Sequence, residues 1–355
     1  MRVLVINAPA PLARELQQRA IADGQMTLMI AGPANPLPYP DDPSSEQFVN
    51  FSSRRKVDFA AIGKLRQIIR EFKPDLVHSF LPRSLSQTVL ATIGMRRAPK
   101  IVSFYGITRV PSWRDPADWI TYLSPKVAMH ACESNAVKDA LMQGGVRENK
   151  CEVIYNCVGP VSGSHTNDTL RAKYEIPENS LVIGTVATMR PVKGIDLLLQ
   201  ALIQCDSLPN WVAFLIGPVQ DPKLAALAND PRLRGRLRLL GQTDNAATLM
   251  RGMDLFVMPS RKEGLCRALL EAMGQGVCPI VSDAGGMKEL VRNGVDGVVF
   301  PSENVAALEM AIRKLHAAPE LISRYGKSAI ERVEAMCGPD IVGDRLVKMY
   351  QRLAA

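Results

Sequence analysis

No apolar run in this chain of 355 residues approaches the roughly 20 needed for a membrane-crossing helix, so no helical span is expected. The seven cysteines, at 132, 151, 157, 205, 266, 278 and 337, are odd in number, scattered and never spaced as Cys-x-x-Cys. Neither a disulfide framework nor a zinc site follows, and the thiols read as buried. Aromatic residues make up only 5% and are not interleaved with basic ones as in a base-stacking platform, so no nucleic-acid partner is expected despite a pI near 9.2. Residues 7–12, after the first apolar run, contain no glycine, which excludes the G-x-G-x-x-G turn of a dinucleotide-dependent dehydrogenase. No cofactor is called for. The opening MRVLVINAP carries one arginine and a short apolar run soon interrupted by polar residues. It reads as a first strand and not a signal peptide, and a cytoplasmic location is expected.

What is present suits two α/β domains. Length is comfortable for two cores, and 47% hydrophobic against 22% charged residues is ordinary for a globular protein. Buried-strand patterns at 3–6, 26–31, 75–80, 100–104, 127–132 and 151–155 alternate with helical periods at 12–22, 62–72, 85–95 and 135–143. The 33–46 segment, rich in proline and acids, reads as a loop. Composition shifts to Gly, Pro, Ser and Val over 156–165, as in an interdomain hinge. The alternation then restarts, with strands at 181–187, 212–216, 237–240, 255–258, 279–282 and 298–299 and helices at 195–204, 246–250, 266–275 and 340–353. The predicted domains are 1–157 and 158–338, followed by a helix over 339–355 that packs back on the first. Two doubly wound parallel sheets of Rossmann type would face a shared cleft. The sequon at Asn167 is read as chance.

Charge is uneven. Residues 1–157 carry 20 Lys+Arg against 14 Asp+Glu, whereas the remainder carries 23 against 21. A basic first domain could face nucleic acid, anionic lipid or a phosphorylated acceptor.

Chemistry concentrates in 259–290, PSRKEGLCRALLEAMGQGVCPIVSDAGGMKEL. A strand ends at Pro259, a polar loop follows, and a helix begins near Cys266, so Glu263 and Glu271 flank a helix N-terminus. Carboxylates accept from hydroxyls and exposed helix N–H groups bind phosphate, so a ligand bearing both is suited, and a nucleotide sugar bears both. With 35 acidic residues in 355, a pair at any one spacing recurs by chance roughly three times, so the glutamates alone prove little. A solvated helix position accounts for Glu271 as well, and a dipole-stabilised first turn for Glu263. A second feature, Arg190-Pro-Val-Lys193-Gly194, lies between a strand and a helix, where cations can cradle a diphosphate.

The run Pro259-Ser260-x-x-Glu263-Gly264, then Glu271-Ala-Met, Gly276, Pro279, Gly285-Gly286 and Glu289 resembles the donor-site signature of the family 4 glycosyltransferases, of bacterial lipopolysaccharide or envelope-polysaccharide type. The resemblance implies the GT-B fold and retaining, metal-independent transfer of a sugar from a nucleotide-diphosphate donor to a glycan or lipid-linked acceptor. It assigns Glu271 to the donor ribose and Glu263 to the transferred sugar. The backbone N–H groups of Gly264, Leu265 and Cys266 fall to the sugar or its β-phosphate, and Arg190 and Lys193 to the leaving diphosphate. Arg267 is either a further phosphate contact or a solvated helix residue. No Asp-x-Asp pair occurs, so cations and helix N-termini would offset the diphosphate charge, and the donor phosphate itself would assist acceptor deprotonation.

The chain departs from the family at several points. Cys266 stands where many relatives have glycine, Asn7-Ala-Pro where a Gly-Gly turn is common, Tyr105-Gly106 in place of His-Gly, and Asn156-Cys157-Val158 in place of Asn-Gly-Val. Acceptor chemistry is therefore not carried over, and Tyr105, Gly106, Arg109, Arg83 and Arg114 are acceptor-side candidates by position alone. His78 reads as a core histidine. The cations Arg54, Arg55, Lys56, Lys64, Arg66, Arg70 and Lys73 surround a helix with apolar Ile62, Leu65, Ile68 and Ile69. Either a solvated helix with a core-facing stripe or a face for anionic membrane fits that pattern. A sugar-nucleotide epimerase of the same architecture is the rival enzyme reading.

Overall fold

The computed structural model describes residues 1–33, 48–159, 168–243 and 246–355. The proline-rich segment from 34, the hinge from 160 and the sequon asparagine lie outside them. The chain forms two compact units, Met1–Gly159 with Gly338–Ala355, and Pro160–Cys337.

The first unit carries β1 (Arg2–Ile6), β2 (Thr27–Gly32), β3 (Phe48–Asn50), β4 (Leu76–Ser79), β5 (Lys100–Tyr105), β6 (Val127–Cys132) and β7 (Cys151–Val153). Every pairing is parallel, in the order β3-β2-β1-β4-β5-β6-β7. Strands buried on both faces need continuous apolar runs, and Val3, Leu4, Val5 and Ile6 are all fully buried. The short β3 adds an edge that periodicity did not reveal, because three residues carry no readable period.

Helix Phe59–Phe72 shows how sequence dictates an element here. Asp58 caps it by accepting from Ala61 N–H at 3.1 Å, and Lys73 ends it at φ 48. Its stripe of Ala61, Leu65, Ile68, Ile69 and Phe72 is buried in the core, so the core-facing reading of that stripe holds. The helix expected over 85–95 runs instead over Pro82–Ala91, because Pro82 is favoured at a helix start and Gly94, at φ 74, lies beyond the end.

Helix Pro339–Ala354 belongs to the first unit. Val342, Leu346, Met349 and Tyr350 are buried there, each contributing on the order of 1.5–3 kcal/mol. The Tyr350 hydroxyl lies 2.6 Å from His78 Nδ1, and the two rings meet edge-on. His78 is thus a core residue, as its place in an apolar strand implied.

The second unit carries β8 (Leu181–Val186), β9 (Trp211–Ile216), β10 (Leu237–Gly241), β11 (Leu255–Met258), β12 (Cys278–Ser282) and β13 (Val298–Phe300), in the order β10-β9-β8-β11-β12-β13. These pairings too are parallel. Each sheet reverses its winding once, between β1 and β4 and between β8 and β11. At such a switch point the flanking crossovers leave on opposite faces and open a crevice beyond the strand C-termini.

Burial depresses His78 and His130 from the ordinary 6.5 to about 3. Unfolding lets both rings bind a proton below pH 6.5, while the folded chain resists it until about pH 3. Their contribution to stability is therefore full above about pH 6.5 and is lost as pH falls from there, by up to about 1.4 kcal/mol per pH unit for each ring. Urea unfolding from pH 7.5 to 5 should show this slope, and the NMR ring shifts of both histidines should stay constant over that range. A ring that titrates near 6.5 contradicts it.

Candidate functional site

The turn at Arg190–Gly194 follows β8, and the loop at Pro259–Cys266 follows β11, so the two segments singled out from sequence meet at the switch point of the second sheet. Lys193 Nζ lies 2.5 Å from Glu263 Oε2, with the side chains 17% and 13% exposed. Ser260 Oγ donates to the same carboxylate oxygen at 3.2 Å. Ser260 is itself fixed, because Ser282 at the end of β12 donates to its carbonyl at 2.6 Å.

Backbone crowding holds these loops in register. Gly285, at φ 60, passes so close to the 263 peptide that a Cβ on it would lie 1.7 Å from the Glu263 carbonyl oxygen. Gly194, at φ 65, would place a Cβ 2.0 Å from the Pro259 carbonyl oxygen. Gly286 N–H donates to the Gly264 carbonyl at 2.9 Å. Only glycine allows both the left-handed backbone and this approach.

Arg261, not singled out from sequence, is the clamp. Its guanidinium binds Asp196 bidentately at 2.7 and 2.8 Å, Glu303 at 2.6 Å and the Pro191 carbonyl at 2.7 Å. Its own N–H donates to the Val192 carbonyl at 2.8 Å. Burial pushes the Asp196 carboxyl up, and the Arg261 guanidinium together with the Asp196 and Leu197 N–H groups reverses this, leaving it below the usual carboxylate range. Sixty-five residues separate the partners, and an aspartate in a helix first turn is otherwise explained by the helix dipole. No local sequence signal marks the pair.

Arg190 is exposed and makes no ion pair among the described residues. Gly264, Leu265 and Cys266 are buried. Cys266 is the N-cap of helix Arg267–Gly274 and makes no side-chain capping bond. Burial pushes its thiol up to about 12, Glu263 adds to the rise and Lys193 opposes it, so the sulfur is a neutral packing group. Arg267 is exposed and binds Glu271 one turn on at 2.9 Å, leaving Glu271 24% exposed. Glu271 thus pairs with Arg267 while Glu263 pairs with Lys193.

The other candidates lie in the first unit. Tyr105 is fully buried against Tyr122, and its hydroxyl donates to the Arg109 carbonyl. The ring offers no surface to a ligand, contrary to the expectation of substrate contact. Burial pushes the phenol up to about 12, which keeps it a donor. Gly106 backs onto the Glu133 carboxylate, where a Cβ would meet Oε2 at 2.8 Å. Arg109 is engaged by Asp118 through both carboxylate oxygens, leaving its side chain 44% exposed. Arg83 and Arg114 are exposed.

Residues 166–332 match the family described as glycosyl transferases group 1, and residues 12–160 match glycosyltransferase family 4. The chain belongs to the family 4 glycosyltransferases. It is 32% identical over 163 residues to the lipopolysaccharide core biosynthesis mannosyltransferase LpcC of Rhizobium leguminosarum bv. viciae, a match covering 43% of this chain and 46% of LpcC. The chain thus spans about half the length of that relative. Against the lipopolysaccharide core biosynthesis glycosyltransferase LpsE of Rhizobium meliloti, identity is 24% over 81% of this chain and 78% of LpsE. Among solved structures, HepE of Anabaena in complex with UDP and glucose superposes with a TM-score of 0.77 at 18% identity, covering 99% of this chain and all of HepE. This last likeness bears on fold, and the fold is GT-B, two Rossmann-like parallel-sheet domains.

For this family 4 chain, Gly285→Ala should force the 259–264 loop away from β12 and lower stability by about 1–3 kcal/mol. Gly235, also left-handed at φ 78 but with nothing within 4 Å of a Cβ, should tolerate alanine with a smaller loss. Thermal midpoints of the two variants check this, and equal midpoints contradict it.

Proposed function

We infer that this protein transfers a sugar, with retention at the anomeric carbon, from a nucleotide-diphosphate donor to a glycan or lipid-linked acceptor in the assembly of lipopolysaccharide or a related envelope polymer. The observation that carries this reading is the Lys193–Glu263 pair at the β8/β11 switch point with Arg190 unpaired beside it. A hexose hydroxyl donating to Glu263 takes the place of Lys193, and Lys193 turns to the diphosphate oxygens. The two cations then stabilise charge that grows as the glycosidic bond breaks, which is where a preorganised donor lowers a barrier most. The donor phosphate assists removal of the acceptor proton, and no metal is required. Glu271 receives the ribose hydroxyls once Arg267 releases it. The relatives that act in lipopolysaccharide core assembly support the acceptor class.

Lys193→Ala should lower kcat by about 10²–10³-fold with a small change in KM, the signature of an interaction made in the transition state. Glu271→Gln should chiefly weaken donor binding. Release of nucleoside diphosphate, measured with whichever UDP-, GDP- or ADP-sugar raises the thermal midpoint, checks both. Full turnover in Lys193→Ala refutes the assignment, and conversion of a labelled donor to its epimer without an acceptor favours the epimerase reading.

No described helix is long and apolar enough to cross a membrane. Peripheral contact is supported by the C-terminal rim of the first sheet. There Val57, Phe59, Leu81 and Ile107 are exposed, Phe59 to 83%. Arg54, Arg55 and Lys56 stand among them, an amphiphilic composition suited to an anionic interface. Flotation with phosphatidylglycerol vesicles should fall at least fivefold in Phe59→Ser/Leu81→Ser. Flotation that ignores anionic lipid overturns this part of the reading.

A further inference from the structure

The opposite edge of the same sheet holds a cavity of about 730 Å³ to which no role has been given. Arg66, Arg70 and Lys73 from helix Phe59–Phe72, Arg96 and Arg97 from the loop before β5, and Lys100 at the start of β5 all line it. Asp75 is the sole acid in the lining, and its carboxylate already accepts from the Arg2 N–H at 2.7 Å. Lys100 Nζ donates to the Leu353 carbonyl. Arg66, Arg70, Lys73, Arg96 and Arg97 take part in no ion pair among the described residues, and Arg70, Lys73, Arg96 and Arg97 are exposed.

The cations of the helix, read from sequence as one basic face, therefore serve two ends of the unit. Arg54, Arg55 and Lys56 precede the helix at the rim already described. Arg66, Arg70 and Lys73 turn to the other end, where Arg96 and Arg97 join them. A helix C-terminus favours cations, and that accounts for Arg70 and Lys73. It does not account for Arg66 two turns earlier, nor for Arg96 and Arg97 in a loop. Arg66 and Arg70 stand four residues apart and Arg70 and Lys73 three, spacings at which like charges repel. Crowding of this kind around a concavity focuses positive potential, and a bound anion relieves it.

We propose that this cavity is a binding site for a multiply charged phosphate group, separate from the donor site and independent of the glycosyl-transfer reading. Arginine suits the role because its planar fork engages two phosphate oxygens at once, and four of the six cations are arginines. The group arrives either as a soluble diphosphate or as a lipid headgroup.

Calorimetric titration of the full chain with inorganic diphosphate tests this in wild type, in Lys193→Ala, in Arg70→Gln/Arg97→Gln, and in a control, Lys314→Gln/Lys327→Gln, that removes two exposed cations from the other unit. Binding should persist in Lys193→Ala and in the control, and weaken at least tenfold in Arg70→Gln/Arg97→Gln, with unchanged thermal midpoints. That outcome assigns a soluble anion. If diphosphate does not bind but Arg70→Gln/Arg97→Gln weakens flotation with phosphatidylglycerol vesicles at least fivefold relative to the control, the source is a lipid headgroup. If the double substitution changes neither titration nor flotation, the proposal fails.

Discussion

The second unit depends on a half-buried ion pair that two loops must hold together from separate strands. At 2.5 Å, Lys193 and Glu263 sit where water is largely excluded, so each offsets the cost of desolvating the other. Neither position is stable alone. Removing the lysine leaves a carboxylate with one serine hydroxyl to satisfy it, and removing the glutamate leaves a largely buried ammonium with no counter-charge. The pair therefore constrains the turn after β8 and the loop after β11 as one object, and the glycines and Arg261 exist in its service. A ligand that brings both hydroxyls and phosphates can replace both halves of the pair at once, which a purely anionic or purely neutral ligand cannot do.

Arg261 shows how the two loops are held rigid around that pair. Its guanidinium is spent on Asp196, Glu303 and the Pro191 carbonyl, and those bonds hold it above its ordinary basicity. Four of its five N–H donors are taken by these partners. The neighbouring cations differ in this respect, with Arg261 fixed by two carboxylates, Lys193 by one, and Arg190 exposed and without an ion pair among the described residues. Fixing of this sort keeps a charged group within the fraction of an ångström that electrostatic stabilisation requires.

Much of this architecture is legible from residues. Continuous apolar runs separated by helical periods specify parallel strands buried on both faces, and nearly every strand lies within a residue or two of its expected place. Strand order is not legible, because it depends on which side of the sheet each crossover returns, and apolar runs are alike in that respect. The switch points, which place Lys193 beside Glu263, thus emerge only in the folded chain. Local motif carried Glu263, Glu271 and Lys193, whereas Arg261 and Asp196 escaped notice because their pairing is non-local and each has an ordinary local explanation. Tyr105 illustrates the converse error. A tyrosine at a strand end looks like a ligand contact, yet its ring fills the core against Tyr122 and its hydroxyl is satisfied by the Arg109 backbone carbonyl, four residues on in sequence.

The first unit departs from family pattern where the acceptor side would lie, and the departures have physical content. Asn7 takes φ 59 directly after β1, and asparagine is among the few residues that enter the left-handed region at modest cost, so it performs the turn that glycine commonly supplies. What changes is the surface: an amide side chain now stands where a bare backbone would let a ligand approach. Gly106 keeps its glycine because the Glu133 carboxylate occupies the space a Cβ would need. With Tyr105 buried ahead of it, the polar group presented after β5 is a carboxylate from β6 and no longer a side chain from β5 itself. The polar groups beyond β1 and β5 are thus an amide, a buried acid and the Asp118-bound Arg109, each placed by the backbone and packing demands of its own segment.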